Sequence, residues 1–202
     1  MKNLFKFACI LSLLITGFAF GQDLNALKKD QTFIDYLKKE IEVINKVNPE
    51  DIIKIRSVID DKVISENEKE DLSKYLGFEN FEGYSVFLME QHVALRKLQA
   101  DYSLEGIDPN VLATEVIASP EIYPIIDTSP QTFGDECSKS CVKTNRNCLV
   151  KTTALAVVSH IGCAAIDSFG VGLLCHAAVQ AAAIAELSEC DNQQGVCLRG
   201  CK

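Results

Sequence analysis

The residues best placed to do chemistry are eight cysteines in the last 66 residues: Cys137, Cys141, Cys148, Cys163, Cys175, Cys190, Cys197 and Cys201. Their gaps read 4, 7, 15, 12, 15, 7, 4, the same in both directions, with the mirror point at Phe169. A mirrored spacing suits an antiparallel hairpin, because residues at equal distance from the turn lie opposite each other. At about 100° per residue, each set of four falls within about 80° of one helical face. Helices packed roughly 8–10 Å apart bring facing Cα atoms within the roughly 4.4–6.8 Å that a disulfide spans. The spacing therefore favours four nested bridges, 137–201, 141–197, 148–190 and 163–175. It does so against about 105 possible connectivities. Gly195 and Gly200 are poor helix residues and point to a tail that turns back near Cys197 and Cys201.

Other chemistry is thin. His160-x-x-Cys163 and Cys175-His176 resemble zinc ligands, but adjacent helical residues point about 100° apart and do not share a metal easily. A bridged sulfur is not a nucleophile, which also disposes of a Cys–His pair. His92 stands on a helix without a nearby second ligand and is assigned no chemistry. Asp60 to Glu68 looks like half a calcium loop, but Ser57, Ile59 and Lys62 fall where the cage and its glycine belong. Ser65 and Glu68 read instead as a capping box. The chain has no Gly-rich phosphate loop, serine elbow or paired-carboxylate motif. The expectation is no enzyme, no catalytic residue, no metal and no cofactor.

Residues 1–21 begin Met-Lys-Asn-Leu-Phe-Lys and continue through an apolar run to Phe20, which reads as a secretory signal peptide that removes Cys9. The remaining even cysteine count fits an oxidising compartment, so the expected location is secreted or periplasmic. Residues 22–136 hold 12 Lys/Arg and 24 Asp/Glu, whereas 137–202 hold 6 and 4. This acidic first part and slightly basic tail form a precursor-like layout, in which the first part neutralises or escorts the second. The acidic balance argues against nucleic acid.

The elements that position the cysteines read as all-α. Leu27, Ile34, Leu37, Ile41 and Ile44 recur at helical steps over 24–47. Asn48-Pro49 opens a helix to about Asp60, Ser65 one ending at Gly77, and Asp108-Pro109 one ending near Ser119-Pro120. Between these, Phe81 to Tyr102 carries the stripe Tyr84, Phe87, Leu88, Leu95 and Leu98. Residues 22–118 thus form an acidic bundle of four or five short helices. Residues 119–136 hold three of the five prolines and read as an extended linker open to proteolysis. Residues 137–202 form the disulfide-laced helical hairpin.

Between Ala154 and Leu187 the only charges are Asp167 and Glu186. The cations Lys139, Lys143, Arg146, Lys151, Arg199 and Lys202 gather at the hairpin's open end. An apolar tip on a basic base suits an anionic membrane, with Leu155, Val157, Val158, Phe169, Leu173 and Leu174 as contact residues. Alternatively, the excess apolar surface packs on the bundle or makes a homodimer.

Cys137-Ser-Lys-Ser-Cys141 and Cys197-Leu-Arg-Gly-Cys201 resemble the paired CxxxC motifs of helical-hairpin defence peptides, which implies nested pairing of those four. The whole layout resembles bacteriocin precursors of the fulvocin C-related and halocin types. That likeness implies a secreted antibacterial peptide released from, or silenced by, its N-terminal part, acting on bacterial membranes. The alternative is a secreted interaction protein with hairpin and bundle working as one unit. Four bridges predict an intact mass that rises by about 8 Da on reduction of the secreted chain; a smaller rise would leave cysteines unpaired.

Overall fold

The computed structural model describes residues 24–48, 50–60, 65–127, 135–166 and 169–201. The expected signal segment, residues 167–168 and residues 128–134 of the expected linker lie outside that set. Among the described residues there are helices and turns and no strand.

Asp30 caps the first long helix, α1 (Gln31–Lys46), accepting from the Thr32 and Phe33 amides at 2.7 and 3.1 Å. This cap divides the expected 24–47 helix and leaves Leu24 and Leu27 on a preceding turn. The fully buried face is Phe33, Tyr36, Leu37, Glu40 and Val43, so of the expected stripe Leu37 lies at its centre and Ile34 and Ile44 pack partly buried at its edge. Helix α2 (Asp51–Asp60) follows, then α3 (Glu66–Tyr75). The Ser65–Glu68 capping box starts α3, and Gly77, at φ +83°, ends the turn after it. Few residues but glycine adopt that backbone cheaply. Helix α4 spans Phe81–Tyr102, as its apolar stripe predicts. Asp108 and Pro109 open α5 (Pro109–Leu112), which continues as a π-helical turn over Ala113–Ile117.

The described part of the expected linker is folded, not extended. Ile122 is fully buried and Tyr123–Ile126 forms a short helix, α6. Arg146 explains why: its guanidinium sits 4.1 Å over the Tyr123 ring and donates to the Ala118 carbonyl at 3.2 Å. That cation–π and hydrogen-bond clasp fixes the segment to the hairpin.

The hairpin consists of α7 (Glu136–Ala164) and α8 (Phe169–Gly200). Its bridges are the nested four: Cys137–Cys201, Cys141–Cys197, Cys148–Cys190 and Cys163–Cys175, with Cα–Cα distances of 5.6, 5.7, 5.8 and 5.5 Å. Such bridges are consistent with an oxidising compartment. The expected fold-back of the tail is corrected. Helix α8 runs through Gly195 to Gly200, because the two outermost bridges hold its last turns against α7. Each glycine costs about 1 kcal/mol of helix propensity, which the bridges offset.

The hairpin lies on the bundle, and its two arms close two separate cores. From α7, Val150, Ala154, Val157, Ile161 and Ala164 complete a cluster with Phe33, Tyr36, Leu95, Leu98, Leu112 and Ile117. From α8, Ala177, Ala181 and Ile184 complete another with Val43, Ile55, Leu72, Leu76, Tyr84 and Leu88. The alanines allow α8 to approach α2 and α4 closely. Ala181→Leu is therefore expected to cost about 1–3 kcal/mol in chemical denaturation by overpacking that seam. Cys148→Ser with Cys190→Ser is expected to cost about 2–5 kcal/mol; an unchanged melting temperature would contradict the bracing role of that bridge.

Candidate functional site

The seam between hairpin and bundle gathers five buried polar side chains, Glu40, Thr153, His160, His176 and Gln180. All three histidines meet there: His92 from α4, His160 from α7 and His176 from α8. His160 Nδ1 lies 2.9 Å from His176 Nδ1, and His92 Nδ1 lies 3.3 Å from His176 Nε2. The ring centroids are 5.1 and 5.5 Å apart. Each centroid separation exceeds its N···N distance by 2.2 Å, about one ring width. The nitrogens therefore lie on the lines joining the ring centres, which is hydrogen-bond geometry. His176 uses both nitrogens and sits between the other two.

Beside this chain runs a second one. The Tyr84 hydroxyl donates to Gln180 Oε1 at 2.8 Å, and Gln180 Nε2 donates to Glu40 Oε2 at 3.0 Å. Tyr84 is on α4, Gln180 on α8 and Glu40 on α1, so this chain also pins hairpin to bundle. Tyr36 meets the edge of His160 with centroids 6.4 Å apart. A void of about 20 Å³ lies between Tyr36, Glu40, Thr153, His160 and Gln180, enough for one water molecule. Thr153 Oγ1, which lines it, is buried without a protein partner.

Burial dominates the electrostatics. It lifts the Glu40 carboxyl to about 7, partly opposed by the hydrogen bond from Gln180. It lowers His160 to about 3, with His176 adding repulsion, and His176 to about 4, with His92 adding repulsion. His92, half-buried, is lowered by burial and by Arg96. The Tyr36 and Tyr84 phenols are raised well above their usual range by burial and the Glu40 charge. At neutral pH the imidazoles are thus neutral and Glu40 is about half protonated.

The sequence reading of the histidines is corrected here. His92, expected to stand alone, has His176 as a close partner, and His160 and His176 face each other beside the expected Cys163–Cys175 bridge. The cysteine mirror already carried part of this: position 160 faces 178, two residues from His176. No comparable signal marks His92, Glu40 or Gln180, because their meeting depends on how the hairpin docks.

The expected membrane-contact residues are spread over different surroundings. Val157 is 2% exposed and packs in the core, whereas Leu155 is 57% exposed. Val158 is half-buried against the first core, and Leu174 is half-buried beside a groove lined by Leu72, Phe81, Val86 and Met89. Phe169 and Leu173 open α8, where only the backbone is described. Helix α7 is long and apolar enough to cross a membrane, but half of its most apolar window is buried in the fold. No family model matches the chain, and no match was found among curated proteins or solved structures.

Glu40 gives the site a defined pH signature. Its folded pKa lies above its unfolded value, so its contribution is fully present below about pH 4.5 and is lost as pH rises towards 7. Glu40→Gln should therefore stabilise the protein by about 2–4 kcal/mol at about pH 8, read by urea unfolding, and change little at about pH 4.5. Equal effects at both pH values would contradict a buried, half-protonated carboxyl.

Proposed function

We propose that the chain is a secreted, precursor-like protein whose bundle keeps the apolar face of a membrane-active antibacterial hairpin covered. One observation supports this most directly. Among the described residues every disulfide lies inside residues 137–201, and none joins hairpin to bundle. The hairpin is covalently complete in itself, yet Ala154, Val157, Ile161, Ala177, Ala181 and Ile184 are buried against the bundle. A cut within 128–134 would leave only non-covalent packing between the two parts.

The charge layout supports the same reading. Lys139, Lys143, Lys151 and Arg199 lie exposed or largely exposed near the open end of the hairpin. A freed hairpin would bring these to anionic lipid while offering the uncovered alanine, valine and isoleucine face to the acyl chains. Each apolar arm of about 14–17 residues spans roughly 21–25 Å, short of a hydrocarbon core of about 30 Å, so insertion would thin the bilayer.

A second reading, a secreted interaction protein in which hairpin and bundle stay together, is supported by the same shared cores. A protease site placed in 128–134 separates the two. The intact mature chain should leave dye-filled phosphatidylglycerol vesicles sealed at micromolar concentration. The cut chain, once its halves are parted with all four bridges in place, should empty them. Sealed vesicles with the freed hairpin would favour the interaction protein.

A further inference from the structure

We propose that the imidazole chain His92–His176–His160 is an acid-operated latch that holds the hairpin on the bundle and releases its apolar face when protonated. The proposal rests on the masking reading above and adds its trigger.

Proton counting over the three rings gives the mechanism. Three neutral imidazoles carry one N–H each. Two of these protons fill the two N···N contacts, and the third sits on an outer nitrogen. One further proton can be taken up without conflict: both outer nitrogens, His92 Nε2 and His160 Nε2, then carry hydrogen, and His176 donates from both its nitrogens. A second added proton has no free nitrogen outside the contacts. It places N–H against N–H across 2.9 or 3.3 Å. One contact must then open. His160–His176 lies inside the hairpin, between arms that the Cys163–Cys175 bridge ties together a few residues away. His92–His176 has no such tether and joins hairpin to bundle, so it is the contact that parts.

The groups around the chain set the window. From α1, Glu40 and Tyr36 approach the His160 side. From α4, Arg96 repels a proton on His92, and Tyr84 holds Gln180. Asp51 and Lys54 of α2 pair with each other at 2.7 Å. Release exposes the histidines, which then bind protons near their ordinary value, and exposes Glu40, which loses one. The folded histidines sit below their unfolded value, so their stabilising share is present above about pH 6.5 and lost as pH falls. Glu40 has the opposite sign and blunts the response down to about pH 4.5.

The test is hydrogen exchange on the full mature protein, reading protection of the α8 amides from Ala177 to Ile184 with intrinsic rates divided out. Opening takes up two protons at His160 and His176 and releases one at Glu40, so protection should fall about tenfold per pH unit between about pH 6.5 and 4.5. Glu40→Gln removes the opposing release and should steepen this towards about a hundredfold per unit. His92→Gln can donate or accept at the α4–α8 contact whatever His176 carries, and should hold protection to lower pH. Protection that stays level on acidification, or a His92→Gln protein that tracks the native one, would overturn the latch. Phosphatidylglycerol vesicles present throughout separate the two claims. Opening without leakage supports the latch and sinks the membrane reading, whereas leakage that tracks opening supports both.

Discussion

The register of two long antiparallel helices, locked by four nested disulfides, is the constraint on which the rest of the structure depends. With Cα–Cα distances of 5.5 to 5.8 Å at four heights, α7 and α8 cannot slide or rotate against each other. That register sets Asn145 Nδ2 to donate to Gln194 Oε1 at 2.8 Å and aligns His160 with His176. It also carries two glycines through the end of α8 without a break. Most small disulfide scaffolds use bridges to replace a core. Here they make one rigid two-helix plate on which a bundle is built.

A two-helix plate has more apolar surface than it can bury on itself, and the bundle has the opposite need. Helices α1 to α6 leave one core open to α7 and another open to α8. The polar chains at the seam make the docking specific as well as favourable. A shifted hairpin would part Glu40 and Tyr84 from Gln180 and His92 from His176, at a cost of about 1–3 kcal/mol for each buried group. Non-directional burial thus supplies the attraction, while the buried polar groups choose the position. The same groups make the seam sensitive to pH.

The all-α class, the hairpin and its four bridges were legible in the sequence because each rests on local periodicity or on the cysteine mirror. Two caps were legible too: Ser65 and Asp108 receive the amide hydrogen bonds their types predict. What was not legible depends on docking. The Asp30 cap that starts α1 is itself held by Tyr102, which donates to that carboxylate at 2.8 Å from 72 residues away. Residues 119–127 look linker-like by their prolines, yet Arg146 clasps them from the hairpin. The site itself was hidden most. His92, His160 and His176 sit at unrelated spacings, and Glu40 reads as one more acidic residue on an acidic chain. Only the fold makes them neighbours.

The most direct test of the account is to mix the hairpin, residues 135–202 with its four bridges, with residues 22–127 as a separate chain and follow association by calorimetry at several temperatures. The account predicts a one-to-one complex with a negative heat-capacity change, as apolar surface on both pieces is buried, and suppression of any vesicle leakage the hairpin causes alone. Two pieces that stay apart, or a complex that leaves leakage untouched, would contradict the claim that the bundle covers the hairpin's active face.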